Sequence, residues 1–295
     1  MEDRKPELKS IFKYASAEAF DKIFPSNKHV VFKLSLPKDF NDPYELSLTI
    51  DFNQPPDILA CYQEVIGKIQ QIPTTCFSEL PSIIPMWAHY AKNSTGFSIE
   101  LDVDLVKKEL PEAAFNFVSY RDEPSDTVLD HLYKAARIGK FRHIGFLNDA
   151  VYHAAYFTKT KCWDCEKEVR MVINEKHTRI VDGDILIDIP IVAVKRIICG
   201  QKTANPEREK IKNFSKENGI GFYDLRIGRL SATPYFIDEI GNSHIFDLAR
   251  NAFLKSKNQC ENCKEPISQK EGSHCPWCKV EDHHRVVASS TRAFG

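Results

Sequence analysis

The sequence predicts an α+β fold: a mixed, mainly antiparallel sheet core with flanking helices, plus a small C-terminal zinc ribbon. Three observations carry that expectation. Strand-like and helical periodicities are interleaved without the steady βαβ alternation of a doubly wound sheet. The 295 residues are enough to bury a large core without staples. Nine cysteines include two Cys-x-x-Cys pairs, Cys260/Cys263 and Cys275/Cys278, with eleven residues between them.

Residues 11–14 read as a strand and 16–24 as a short helix with Ser16 at its N-cap. Residues 29–36 put Val30, Phe32, Leu34 and Leu36 on one side of a strand, and the loop 37–43 follows. Ile58, Cys61, Val65 and Ile69 recur at helical spacing within 57–70. Residues 74–78 and 96–101 are short strands, and 118–120 is a brief extended piece. Residues 126–157 carry two helices broken near Gly139 or Gly145. Val169, Met171 and Ile173 alternate along a strand at 168–174, with further strands at 185–189 and 194–199. Asn205 and Pro206 then serve as N-cap and N1 of a helix that Gly219 ends at C′, before a strand at 221–226. The expected organisation is an α+β domain at 1–254, a zinc ribbon at 255–284 and a mobile tail at 285–295.

Composition narrows the function classes. Lys and Arg number 40 against 41 Asp and Glu, a net charge of −1, with 27% charged and 42% hydrophobic residues. That balance excludes wholesale disorder and a chain-wide basic field for nucleic acid. The opening MEDRKPELKS lacks the apolar core of a signal peptide. The apolar stretch 185–200 is broken by Asp188, Pro190, Lys195 and Arg196, too early for a bilayer span. A cytoplasmic protein with no membrane partner is expected. No Gly-x-Gly-x-x-Gly, Walker A loop or His-Glu-x-x-His occurs.

The paired Cys-x-x-Cys motifs carry the most specific chemistry. Each tight turn offers two thiolates, and a short hairpin brings the pairs together around a tetrahedral zinc. Four ligands, Cys260, Cys263, Cys275 and Cys278, close the shell, so the zinc is expected to be structural and to supply the energy that folds the segment. His274, His283 and His284 are the nearby substitutes. By contrast, Cys162 and Cys165 lack the strand before and helix start after that a thioredoxin-like role requires.

Four clusters elsewhere combine polar and aromatic residues more densely than a core requires. They are Phe12-Lys13-Tyr14, Phe40-Asn41-Asp42-Pro43, Cys76-Phe77-Ser78 with Met86-Trp87-x-His89-Tyr90-Ala91, and Lys159 with Trp163-x-x-Glu166-x-Glu168-x-Arg170. Together with Gly96, Val118-x-Tyr120 and Val194-x-x-Ile197-Ile198-x-Gly200, and in this order, they resemble the bacterial family catalogued as domain of unknown function 2971. The resemblance runs over about residues 8–230. The family often carries Arg after the first Tyr, where this chain has Ala15.

The motif order in turn looks like a divergent ADP-ribosyltransferase. That resemblance implies NAD as substrate, Lys13 or Tyr14 near the nicotinamide ribose, Ser78 on the Ser-bearing strand, and Glu166 or Glu168 as the catalytic carboxylate; His89 is a separate catalytic candidate. A carboxylate beside the ribose steadies positive charge as nicotinamide leaves. Aromatic faces such as Tyr14, Phe77 or Trp87 suit the nicotinamide ring. Asn41, Asp42, Tyr90, Lys159, Trp163 and Arg170 complete the candidate substrate-binding set for a nucleotide or NAD-like molecule.

Each residue also has a plainer reading. Glu166 and Glu168, two apart on one strand, fit an outer face, where Arg170 would make a surface pair worth at most ~1 kcal/mol. Trp87 and Trp163 fit core or cleft walls, His89 an interior histidine, Asn41-Asp42-Pro43 a capped turn. Three functions follow: a toxin-like or antiphage ADP-ribosyltransferase whose ribbon selects its partner, a non-catalytic module recognising nucleic acid or protein, and a metal-dependent nuclease using Asp42, Glu45 and the late carboxylates. From Lys255 onward there are seven Lys/Arg against five Asp/Glu, few beside the roughly 6–10 phosphate contacts that strong nucleic-acid binding uses.

Overall fold

Most predicted elements form where periodicity places them. The computed structural model describes residues 8–40, 50–268 and 272–290. Strands in chain order are β1 (Ser10–Ala15), β2 (His29–Leu34), β3 (Thr74–Ser78), β4 (Phe97–Asp102), β5 (Ala114–Phe117), β6 (Ser119–Tyr120), β7 (Thr158–Lys159), β8 (Glu168–Val172), β9 (Arg179–Val181), β10 (Asp184–Pro190), β11 (Val194–Cys199), β12 (Gly221–Arg226), β13 (Tyr235–Asp238), β14 (Ser243–Asp247) and β15 (Ala252–Lys255). Helices are α1 (Phe20–Ile23), α2 (Pro56–Ile66), α3 (Ile84–His89), α4 (Val103–Glu109), α5 (Asp126–Ile138), α6 (Phe141–Phe157), α7 (Asn205–Glu217) and α8 (Asp282–Ser290). The class is α+β, with mixed and mainly antiparallel pairing.

The chain makes two compact units, and neither is one continuous stretch. The first takes Met1–Asp21, Leu80–Asp102 and Val194–Gly295; the second takes Lys22–Glu79 and Val103–Ala193. Within the first, strands lie in the order β15-β14-β13-β12-β11-β4-β1. The one parallel pair in that series, β11 with β12, is bridged by α7 as a right-length crossover. Under this sheet lies a core of Phe12, Tyr14, Met86, Trp87, Ile198, Leu225, Phe236 and Phe246.

Gly96 and Gly200 explain themselves here. A Cβ on Gly96 would sit 2.1 Å from the Ala15 carbonyl oxygen, and one on Gly200 would sit 2.3 Å from that of Ser94. The amide of Gly200 donates to the carbonyl of Gly96 at 2.9 Å, so both backbones must approach without side chains.

Within the second unit β3-β8-β5 are neighbours, β2-β10-β9 form a three-stranded antiparallel sheet, and β6 pairs with β7. Helices α2, α5 and α6 pack around Ile58, Tyr62, Leu132, Leu147 and Val151. The break between α5 and α6 falls at Gly139, which takes φ +65° as a left-handed cap.

Several boundaries differ from expectation. Ala204, not Asn205, caps α7, which moves Asn205 and Pro206 one step into the first turn. Residues 282–290, most of them expected to be tail, carry α8. Strands β13 to β15 and helices α3 and α4 were not foreseen, because their short runs show no clear alternation or helical period. Among the described residues no helix is long and apolar enough to cross a membrane.

Candidate functional site

Strand β8 holds the densest polar chemistry in the second unit. Its alternation puts Val169 and Met171 on one face and Glu168 and Arg170 on the other. Register with β3 sets Ser78 opposite Glu168 and Cys76 opposite Arg170, and register with β5 sets Asn116 opposite Arg170. Just before β8 the chain makes a 3-10 turn, Lys161–Glu166, and then Lys167 takes φ +46°. Glu166 therefore is not on the strand beside Glu168, as the alternation suggested. The left-handed Lys167 turns it back so that both carboxylates meet Lys159 at the end of β7.

The distances define a buried ion quartet. Lys159 Nζ donates to Glu166 Oε2 at 2.7 Å and to Glu168 Oε2 at 3.3 Å. Arg170 Nε donates to Glu168 Oε1 at 2.7 Å, and its Nη1 to the Tyr156 carbonyl at 2.9 Å. All four side chains are at most 7% exposed. The surface ion pair expected for Arg170 is thus an interior one. The Ser78 hydroxyl donates to the Glu166 carbonyl at 2.7 Å, and the Glu168 amide donates to the Tyr120 hydroxyl oxygen at 2.7 Å. Lys159 lies 4.5 Å from the centre of the half-buried Trp163 ring, and Arg170 lies 4.6 Å from that of Phe40. Phe77 is interior, edge-on to Phe32.

Burial by itself raises the Glu168 pKa. Arg170 and Lys159, with a hydrogen bond from Cys76, outweigh that and bring it to about 2. Glu168 is therefore ionised at any physiological pH. Burial also raises Tyr120 above the ordinary phenol value.

The remaining predicted residues lie in the first unit, apart from Asn41 and Asp42, which fall outside the described residues, as does Glu45. Tyr14 and Trp87 are core. Their rings meet edge-on at 5.1 Å, the Tyr14 hydroxyl donates to the Leu80 carbonyl at 2.7 Å, and Trp87 Nε1 donates to that of Pro81 at 2.8 Å. Both polar tips are spent inside the protein. His89 is exposed at the end of α3 rather than interior, Tyr90 is half-buried, and Lys13 is half-buried on β1. Tyr120 and Phe40 join the quartet although only the surrounding motifs, not a chemical signature, pointed to them.

The cysteines form a second constellation. The sulfurs of Cys260, Cys263, Cys275 and Cys278 all lie within 4.8 Å of one another and could hold a metal ion. The Cys263 and Cys275 sulfurs are 3.7 Å apart, close to the tetrahedral edge of about 3.8 Å that arms of ≈ 2.3 Å imply. Burial and the three neighbouring sulfurs push the Cys263 thiol up to about 12; a divalent cation among them would reverse that balance. The first pair turns through Lys264 at φ +64°. Tyr235 donates its hydroxyl to the Cys263 carbonyl, and the Glu265 carboxylate accepts from the amides of Arg229 and Leu230. Cys162 and Cys165 stand apart from this group, exposed on the 3-10 turn.

No curated protein and no solved structure matches the chain. A family model described as Protein of unknown function (DUF2971) matches residues 86–171, so the family resemblance read from the motifs holds across the segment that supplies Lys159, Trp163, Glu166, Glu168 and Arg170.

Proposed function

We propose that the chain is an ADP-ribosyltransferase-like enzyme that cleaves NAD and passes ADP-ribose to a protein or nucleic-acid acceptor, as a toxin-like or antiphage effector. The observation that carries this reading is the pair Glu166 and Glu168, both buried and both within reach of Lys159. Buried ion pairs are poor sources of stability. Carboxylates held there at a fixed angle suit a site where charge develops during reaction. The quartet sums to no net charge, so it offers a ribosyl cation orientation more than bulk potential. Glu168 is occupied by Arg170 on one side and Lys159 on the other and acts as a positioning residue. Glu166 follows the exposed Cys165 and takes the reacting role. The C1′–nitrogen bond breaks with its electron pair going to nicotinamide, the acceptor forms a bond to C1′, and its proton leaves toward Glu166.

Zinc fits the four-cysteine cluster by donor type and spacing, and we assign it a structural role there. Incubating the full chain with NAD and measuring nicotinamide by chromatography tests the enzyme reading. Release is expected from the wild type and not from Glu166→Gln of unchanged thermal stability; a wild type without turnover, or an active Glu166→Gln, overturns it. A recognition module has one feature in its favour. Trp277 is 61% exposed, and Arg229 lies 5.0 Å from its ring centre, a pairing that suits stacking on a base. Salt-sensitive nucleic-acid binding lost in Trp277→Ala would support that alternative.

A further inference from the structure

The ribbon of β6 and β7 has two faces. Ser119 pairs with Thr158 and Tyr120 with Lys159. Since successive strand side chains point oppositely, and Tyr120 and Lys159 reach the quartet, Ser119 and Thr158 project the other way. There, within the second unit, they join Asn116, Arg121, Thr127 and His153 around a cavity of about 330 Å³. That volume sits at the small end of ligand sites.

Arg121 is the charged group of this cavity. Its Nε is closed off from solvent and has no hydrogen-bond partner among the described residues. The hydroxyl of Tyr62, which interacts electrostatically with Arg121, is also buried and unpartnered. Burial draws the guanidinium pKa below its ordinary value, and among the described residues no carboxylate lines the cavity to offset that. A second cavity of about 540 Å³ has the opposite character, with Glu112 and Glu175 in its wall. Ser125 and Thr127 bring the N-terminal end of the 13-residue α5 to the same place, where first-turn N–H groups favour negative charge.

A guanidinium whose Nε has no partner among the described residues, hydroxyls on paired strands and a helix N-terminus line one cavity. We infer that this cavity binds the phosphate of a small phosphomonoester, with Arg121 as its anchor. Arg121 presents the planar donor fork that suits phosphate oxygens, and Ser119, Thr158 and Thr127 supply neutral donors around it. The inference does not rest on NAD cleavage, since the ribbon has the quartet on its other face.

Calorimetric titration of the full, metal-loaded chain at constant ionic strength tests it, with inorganic phosphate, ribose 5-phosphate and acetate as probes. Saturable 1:1 binding of phosphate or ribose 5-phosphate is expected, weakened by about tenfold or more in Arg121→Gln. Ala150→Phe, which fills the cavity with Arg121 intact, is expected to abolish it and decides the matter if Arg121→Gln does not fold. Absence of saturable binding to either phosphate, equal binding of acetate, or wild-type binding in Ala150→Phe would overturn the assignment.

Discussion

Glu168 couples stability to pH. Its carboxyl falls from 4.5 to about 2 on folding, so the stabilisation it confers is complete above the unfolded value and is lost as pH drops through the folded one. Chemical denaturation between roughly pH 5 and pH 2 should therefore show a decline of roughly 3 kcal/mol from this group, absent in Glu168→Gln. Arg170→Met removes the bidentate partner and leaves a buried carboxylate under-compensated, which should cost about 3–5 kcal/mol at neutral pH; a loss below ~1 kcal/mol would mean that the pair is effectively solvated. The sequence displayed these residues but not their depth. Glu-x-Glu-x-Arg has the spacing of an exposed strand face, and charged side chains default to solvent. What buries them is largely non-local: Phe40 over Arg170 and β3 alongside β8, with Trp163 covering Lys159 from four residues away. Tyr14 and Trp87 show the converse. They are aromatic enough to wall a ligand cleft, yet carbonyls at Leu80 and Pro81 take up their polar tips.

At the scale of elements, two glycines make opposite forecasts. In Gly96→Ala the new Cβ would overlap the Ala15 carbonyl, forcing β1 and β4 apart at a cost of about 1–3 kcal/mol or more, read as a lower thermal midpoint. Gly145 lies within α6 with nothing within 4 Å of a built Cβ. Gly145→Ala should raise stability by about 0.5–1 kcal/mol. The helices α5, α6 and α7 were legible from their period, and strands β3, β8, β11 and β12 from short apolar or alternating runs. The β13–β15 meander was not, because its short strands, such as Tyr235–Asp238, gain their order from pairing with β12 and with one another.

For the molecule as a whole, the cysteine cluster is where removal of a ligand should propagate furthest. Sheet residues Tyr235 and Ser243 bond to the carbonyls of Cys263 and Lys264, so loss of a metal from the four sulfurs would loosen the β12–β15 edge as well. Chelation of the purified protein should release zinc, detected by elemental analysis, and lower the thermal midpoint. Cys260→Ser should reproduce that loss, whereas Cys162→Ser should keep full metal content. The interleaving of the two units has a mechanical corollary. Both outer segments of the chain belong to the first unit, and the second is inserted into it in two passages. Under tension applied by tethering the two ends, the load enters and leaves the chain through the first unit.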